Sequence, residues 1–157
     1  MTDGIIKFLH SDTQNIAVTE KRILACAEYA KGHGIVIDSR CAALLAEAKT
    51  KALRATGRVE FGGGIMDLLI ECFIDSPYIS NDNFTETLCT LAEVFCEAKN
   101  AVSDRVSDTS LALFLRNAYD RCGGSTDLGG EIEGLVRRLS EAGGDCDELA
   151  EGYGGEY

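Results

Sequence analysis

The chain has 157 residues, 45% of them hydrophobic, with a mean hydropathy of −0.02 and a formal net charge of −11. That length suits one domain burying roughly 70% of its unfolded surface, and the acidic balance excludes nucleic acid and anionic membrane as partners of the whole chain. No apolar run reaches the ~18 residues of a bilayer-crossing helix, and the opening Met-Thr-Asp-Gly-Ile-Ile-Lys-Phe-Leu-His lacks the basic and apolar regions of a signal peptide. A cytoplasmic location is the expectation.

Residues 1–18 are ambiguous, with Ile5, Ile6, Phe8 and Leu9 fitting either a short helix or an extended segment. The first clear helix starts at Thr19 as N-cap, runs through Ile23, Leu24, Ala27 and Ala30, and stops at Gly32 and Gly34. Extended Ile35-Val36-Ile37 leads to Asp38 or Ser39 as the next cap. The second helix places Cys41, Leu44, Leu45, Ala48, Ala52 and Ala55 on one side and ends at Gly57, so the two form an antiparallel hairpin. After Arg58-Val59-Glu60-Phe61-Gly62-Gly63-Gly64 comes a third helix, Ile65 to Ile74, broken in its apolar run only by Asp67 and Glu71. Such a helix belongs at the centre of a fold. The single proline ends it within Asp75-Ser76-Pro77-Tyr78.

A fourth helix is predicted from Asp82 to Val106, capped by Ser80 or Asn81, with a packing seam of Leu88, Leu91, Phe95, Ala98 and Val102. Ser107 or Asp108 caps a fifth through Leu111, Phe114, Leu115 and Ala118 up to Gly123-Gly124. The sixth, Leu128 to Glu141, buries Ile132, Leu135, Val136 and Leu139. Residues 143–157 read as a flexible acidic, Gly-rich tail, leaving 1–142 as one all-α bundle of about six helices with no βαβ alternation.

Charge is unevenly spread. Residues 1–58 carry nine basic and six acidic side chains, the remainder six basic and twenty acidic ones. The natural partner of the mildly basic first hairpin is therefore the rest of the same chain. The seven cysteines, at 26, 41, 72, 89, 96, 122 and 146, form no CxxC pair and sit mostly in apolar helical patterns. They read as thiols of a reducing compartment, not as a disulfide framework.

The runs Gly57-Arg-Val-Glu-Phe-Gly-Gly-Gly-Ile65, Asp75-Ser-Pro-Tyr-Ile79, Asn83-Phe-Thr-Glu-Thr-Leu88 and Arg105-Val-Ser-Asp108 resemble an uncharacterised family of small bacterial proteins, mostly from Gram-positive anaerobes. The resemblance spans roughly residues 20–140 and is most distinctive at 57–124. It implies a helical fold in a bacterial cytosol, and as a domain of unknown function it carries over no catalytic residues.

Among the motifs, Gly62-Gly63-Gly64 entering a helix is a candidate anion site. Backbone N–H groups could converge on an anion there, with Arg58 closing over it and Glu60 beside it. The competing reading is a tight structural turn, since no strand precedes the loop and Lys-Ser/Thr is missing. Glu86, Glu93 and Glu97 share helical spacing, with Glu71 on the neighbouring helix, but His10 and His33 do not follow a carboxylate by three residues, so no di-metal site and no cofactor is expected. Neither histidine has a triad-like setting, and Cys89 and Cys96 read as core thiols. Lys49, Lys51, Arg54 and Arg58 form a basic stripe without interleaved aromatics, which disfavours single-stranded nucleic acid. Tyr78, with Pro77 and Ile79, forms an apolar turn that either pins the loop or anchors a partner. These readings leave two functions open. One is a non-catalytic protein–protein module, binding a protein partner or a second copy of itself, with Tyr78, Leu88, Leu91 and Phe95 at the interface. The other is a binder or enzyme for a small anion using Arg58, Glu60, Gly62, Gly63 and Gly64.

Overall fold

The computed structural model describes residues 16–58 and 64–142. The opening segment with His10, the loop residues Glu60, Gly62 and Gly63, and the expected tail with Cys146 lie outside the described residues. Helices α1 (16–25), α2 (Ala27–Lys31), α3 (Ser39–Ala55), α4 (Ile65–Phe73), α5 (Phe84–Ala101), α6 (Asp108–Arg121) and α7 (Gly129–Ala142) make up the fold, and no strand occurs among the described residues. The chain is all-α, and its described helices include none long and apolar enough to cross a membrane.

Helix α1 is already helical at residue 16, so Thr19 is not its cap. Thr19 is buried, and its hydroxyl accepts a 2.6 Å bond from Lys49 Nζ. The predicted first helix is also interrupted, with Cys26 standing as a turn between α1 and α2. Asp38 caps α3 as expected, its carboxylate accepting from the Cys41 amide at 2.8 Å. The buried face of α3 is rotated from the predicted one. Cys41, Ala42, Leu45, Ala46, Lys49 and Ala52 point inward, while Leu44 and Ala55 are exposed. The rotation is possible because the Thr19 hydroxyl receives the ammonium of Lys49, so a buried lysine does not lose its hydrogen bonding.

Helix α5 is the hub, packing on α3, α4, α6 and α7, most extensively on α3. Its seam is the predicted one: Leu88, Leu91, Phe95, Ala98 and Val102 are all buried. Helix α4 sits between α3, α5 and α6 and buries Ile65, Met66, Leu69, Ile70 and Phe73. Helix α5 is shorter than predicted at both ends. Asn83, not Ser80 or Asn81, is its N-cap, and the side chain of Asn83 serves the preceding loop instead of the helix.

Four helices close with the same pair of backbone bonds, in which the amide after the left-handed residue reaches five residues back. They are Ile35 to Ala30, Arg58 to Leu53, Asp104 to Lys99 and Gly124 to Tyr119, at 2.8–3.1 Å. Three use glycine at the left-handed position: Gly34, Gly57 and Gly123 at φ 79°, 67° and 71°. Helix α5 uses Ser103 (φ 55°), followed by Asp104 (φ 59°). A side chain there costs roughly 1–2 kcal/mol, partly offset by the extra freedom glycine would have when unfolded. Ser103→Gly is therefore expected to raise stability by about 0.5–1 kcal/mol in urea unfolding; a loss would show that the serine side chain has a folded-state role of its own.

Candidate functional site

Arg58 follows the glycine that closes α3. Its Nη1 donates to Asn100 Oδ1 at 2.6 Å, and its guanidinium pairs with both oxygens of Asp104. Asn100 Nδ2 in turn donates to Thr56 O at 2.9 Å. Arg58 thus ties the end of α3 to the end of α5, and the Asp104 bond raises its already high pKa further. The guanidinium expected to close over an anion is committed to a carboxylate instead.

Gly64 is the N-cap of α4, in extended geometry at φ −71°. A Cβ there would lie 3.3 Å from Arg22 Cζ and 3.3 Å from Asp67 Oδ1, so this glycine makes room for an ion pair. That pair joins Arg22 Nε of α1 to Asp67 Oδ2 at 2.9 Å. Together with Arg58–Asp104 it links the basic first hairpin to the acidic remainder, as the charge count suggests. Asp67 places a carboxylate in the first turn of α4, where an incoming anion would meet negative charge.

A second polar cluster surrounds the turn after α4. Arg116 of α6 donates from Nε to Asp120 Oδ2 at 2.8 Å and from Nη1 to Cys72 O at 2.5 Å, and it pairs with Asp75. Ser76 Oγ donates to Asp120 Oδ1 at 2.7 Å and accepts from the Tyr78 amide at 3.3 Å. The Tyr78 carbonyl accepts from Asn83 Nδ2 at 3.0 Å and from Tyr119 Oη at 3.4 Å. The rings of Tyr78 and Tyr119 meet edge to face with centroids 6.3 Å apart. Gly124 lies directly beneath: a Cβ there would stand 2.6 Å from Tyr78 Cβ. The turn is fixed from three sides, and Tyr78 remains 43% exposed.

Leu88, Leu91 and Phe95, expected beside Tyr78 at an interface, are 0%, 0% and 2% exposed. They are core residues because α5 is enclosed by four other helices, so an apolar seam on it has no outward face. Arg116, Asp120, Ser76 and Gly124 carry the cluster and have no signal in the sequence. Their partners lie about forty residues away, and Arg116 and Asp120 read simply as an i,i+4 pair on a helix face.

The described cysteines are thiols with no disulfide among them. Burial pushes Cys26, Cys41 and Cys72 above the usual thiol range and Cys89 to about 11, which keeps them protonated and weakly nucleophilic. His33 lies against the Tyr29 ring with centroids 4.9 Å apart. Among the described residues no group of three or more His, Cys, Asp or Glu side chains could hold a metal ion.

The bonds from Arg116 and Arg58 hold the Asp75 and Asp104 carboxyls below the usual range. A depressed carboxyl stabilises the fold above its unfolded value of about 3.9, and the contribution fades as pH falls through the folded value. Both groups are more than half exposed, so the effect is modest. Between about pH 5 and pH 2 the urea midpoint of an Asp75→Asn/Asp104→Asn double variant should fall less than that of the parent. Parallel acid limbs for the two proteins would contradict these pairings.

The model of a family of unknown function, DUF6323, matches residues 22–141, from Arg22 of α1 to the last turn of α7. The chain belongs to that family. The DUF6323 match includes both polar clusters. No curated protein and no solved structure shows significant similarity to this DUF6323 chain.

Proposed function

We propose that the protein is a non-catalytic helical module of the bacterial cytosol that binds another protein through the Tyr78 turn. The observation that carries this reading is the fixed backbone of an exposed tyrosine. Ser76, Asn83, Tyr119 and Gly124 all act on the Tyr78 main chain or Cβ, while the residue as a whole stays 43% exposed. A tyrosine held this way gives up little conformational entropy on binding, which suits an interface anchor. The groups that would serve catalysis are otherwise engaged: Arg58 with Asp104, Arg116 with Asp75 and Asp120, and Ser76 with Asp120. Partial or full burial holds the Cys26, Cys41, Cys72 and Cys89 thiols protonated. Engagement of Arg58 also argues against the anion-binding alternative.

The test is covalent capture in the native cell with the full chain, comparing Tyr78→Arg with Leu113→Arg. Leu113 is 40% exposed on α6 and serves as a matched surface control. A cross-linked partner retained by the Leu113 variant and lost from the Tyr78 variant supports the reading. An identical cross-linking pattern for both, with both proteins folded, refutes it.

A further inference from the structure

The outward face of α1 and α2 is apolar and has a charge pattern that complements itself. Ala17, Val18, Lys21, Leu24, Ala25, Glu28 and Tyr29 are all exposed, whereas Thr19, Ile23 and Ala30 are buried. At 100° per residue the exposed seven fall in one arc on the side opposite the buried three, and the arc continues through the turn at Cys26. Val18, Leu24 and Tyr29 are 56%, 39% and 50% exposed, so three large apolar side chains lie along one short helical strip.

Lys21 is unusual within this strip. Its neighbours at three and four residues, Ala17, Val18, Leu24 and Ala25, are all apolar, so the helix offers it no carboxylate. Glu28 lies on the same line seven residues on, roughly 10 Å away along the axis, too far to pair with Lys21 in the same helix. No ion pair is made by either residue among the described residues.

We infer that a second copy of this chain docks antiparallel on α1 and α2, with the two-fold axis passing between Leu24 and Ala25. A two-fold axis at that point sets Lys21 opposite Glu28 of the second copy, and Glu28 opposite its Lys21. It brings the two Leu24 side chains together on one edge and places Val18 beside the second copy's Tyr29 on the other. Ala17 and Ala25, being small, let the helices approach. A parallel arrangement would instead set lysine against lysine and glutamate against glutamate, so the charges choose the direction as well as the partner. The strip is short, so the buried area falls below the ~1,200–2,000 Å² of a standard interface, and association is weak and reversible.

This inference does not rest on the Tyr78 reading, which concerns other residues and a different partner. Sedimentation equilibrium of the full chain over a micromolar concentration series tests it. The parent is expected to show a monomer–dimer equilibrium. Lys21→Glu, which makes two like-charge contacts per dimer, should weaken it about tenfold, Leu24→Glu should abolish it, and Lys21→Glu/Glu28→Lys should restore it. All these positions are exposed, so the variants keep the fold. A parent that stays monomeric throughout, a dimer indifferent to Lys21→Glu, or a double variant no better than the single ones would overturn the inference.

Discussion

Replacing Phe95 by alanine is expected to cost about 3–5 kcal/mol of folding stability, a large part of the ~5–15 kcal/mol available to a domain of this kind. Phe95 is 2% exposed on α5, the helix that α3, α4, α6 and α7 all touch. Truncation leaves a cavity shared by several helices, and a cavity lined from so many sides collapses poorly. The measurement also separates a core role from an interface role. Were Phe95 an interface residue, its loss would weaken association and move the unfolding midpoint in a concentration-dependent way. As a core residue it lowers the urea midpoint equally at low and high protein concentration. A cost below about 1 kcal/mol would place it outside a packed core.

Gly124→Ala is the second large expected effect, at about 2–4 kcal/mol. Two terms add. The left-handed backbone, φ 86°, penalises any side chain by about 1 kcal/mol. The added methyl would also stand 2.6 Å from Tyr78 Cβ and 2.9 Å from its Cγ, and overpacking of that severity costs about 1–3 kcal/mol. Gly123 gives an internal control: it is equally left-handed at φ 71°, but a Cβ there meets nothing within 4 Å. Gly123→Ala should therefore lose only the conformational part, about 1 kcal/mol. Equal losses at the two positions would show that the Tyr78 contact does not hold the turn. Because the clash is with Tyr78, Gly124→Ala should also perturb the Tyr78 turn, so binding at that corner should weaken along with stability.

Residue pattern was enough to establish the helical class, most helix positions and the apolar seam of α5, but not whether that seam met a core or a partner. Leu88, Leu91, Phe95, Ala98 and Val102 repeat at helical spacing because one side of any packed helix must be apolar, and that requirement is local. The caps of α3 and α6 were legible to within one residue, Asp38 or Ser39 and Ser107 or Asp108, and the glycine stops at 34, 57 and 123 for the same reason, since each satisfies backbone groups within its own turn. The turn at Ser103 was not, because a serine in the left-handed region leaves no mark in sequence.

Whether an apolar residue faces the chain's own core or a neighbour is not a local property. Tertiary packing enclosed the α5 seam and left Val18, Leu24 and Tyr29 outside. It turned α3 so that Lys49 met Thr19, and assigned Arg58 to Asp104 and Gly64 to the Arg22–Asp67 pair. Periodicity tells which residues lie on a common face; only long-range packing decides what that face meets. The acidic helical bundle was thus determined by the sequence itself. The Tyr78 corner, built by residues some forty positions apart, was decided by the tertiary structure, which alone brings Arg116, Asp120, Ser76 and Gly124 around one turn.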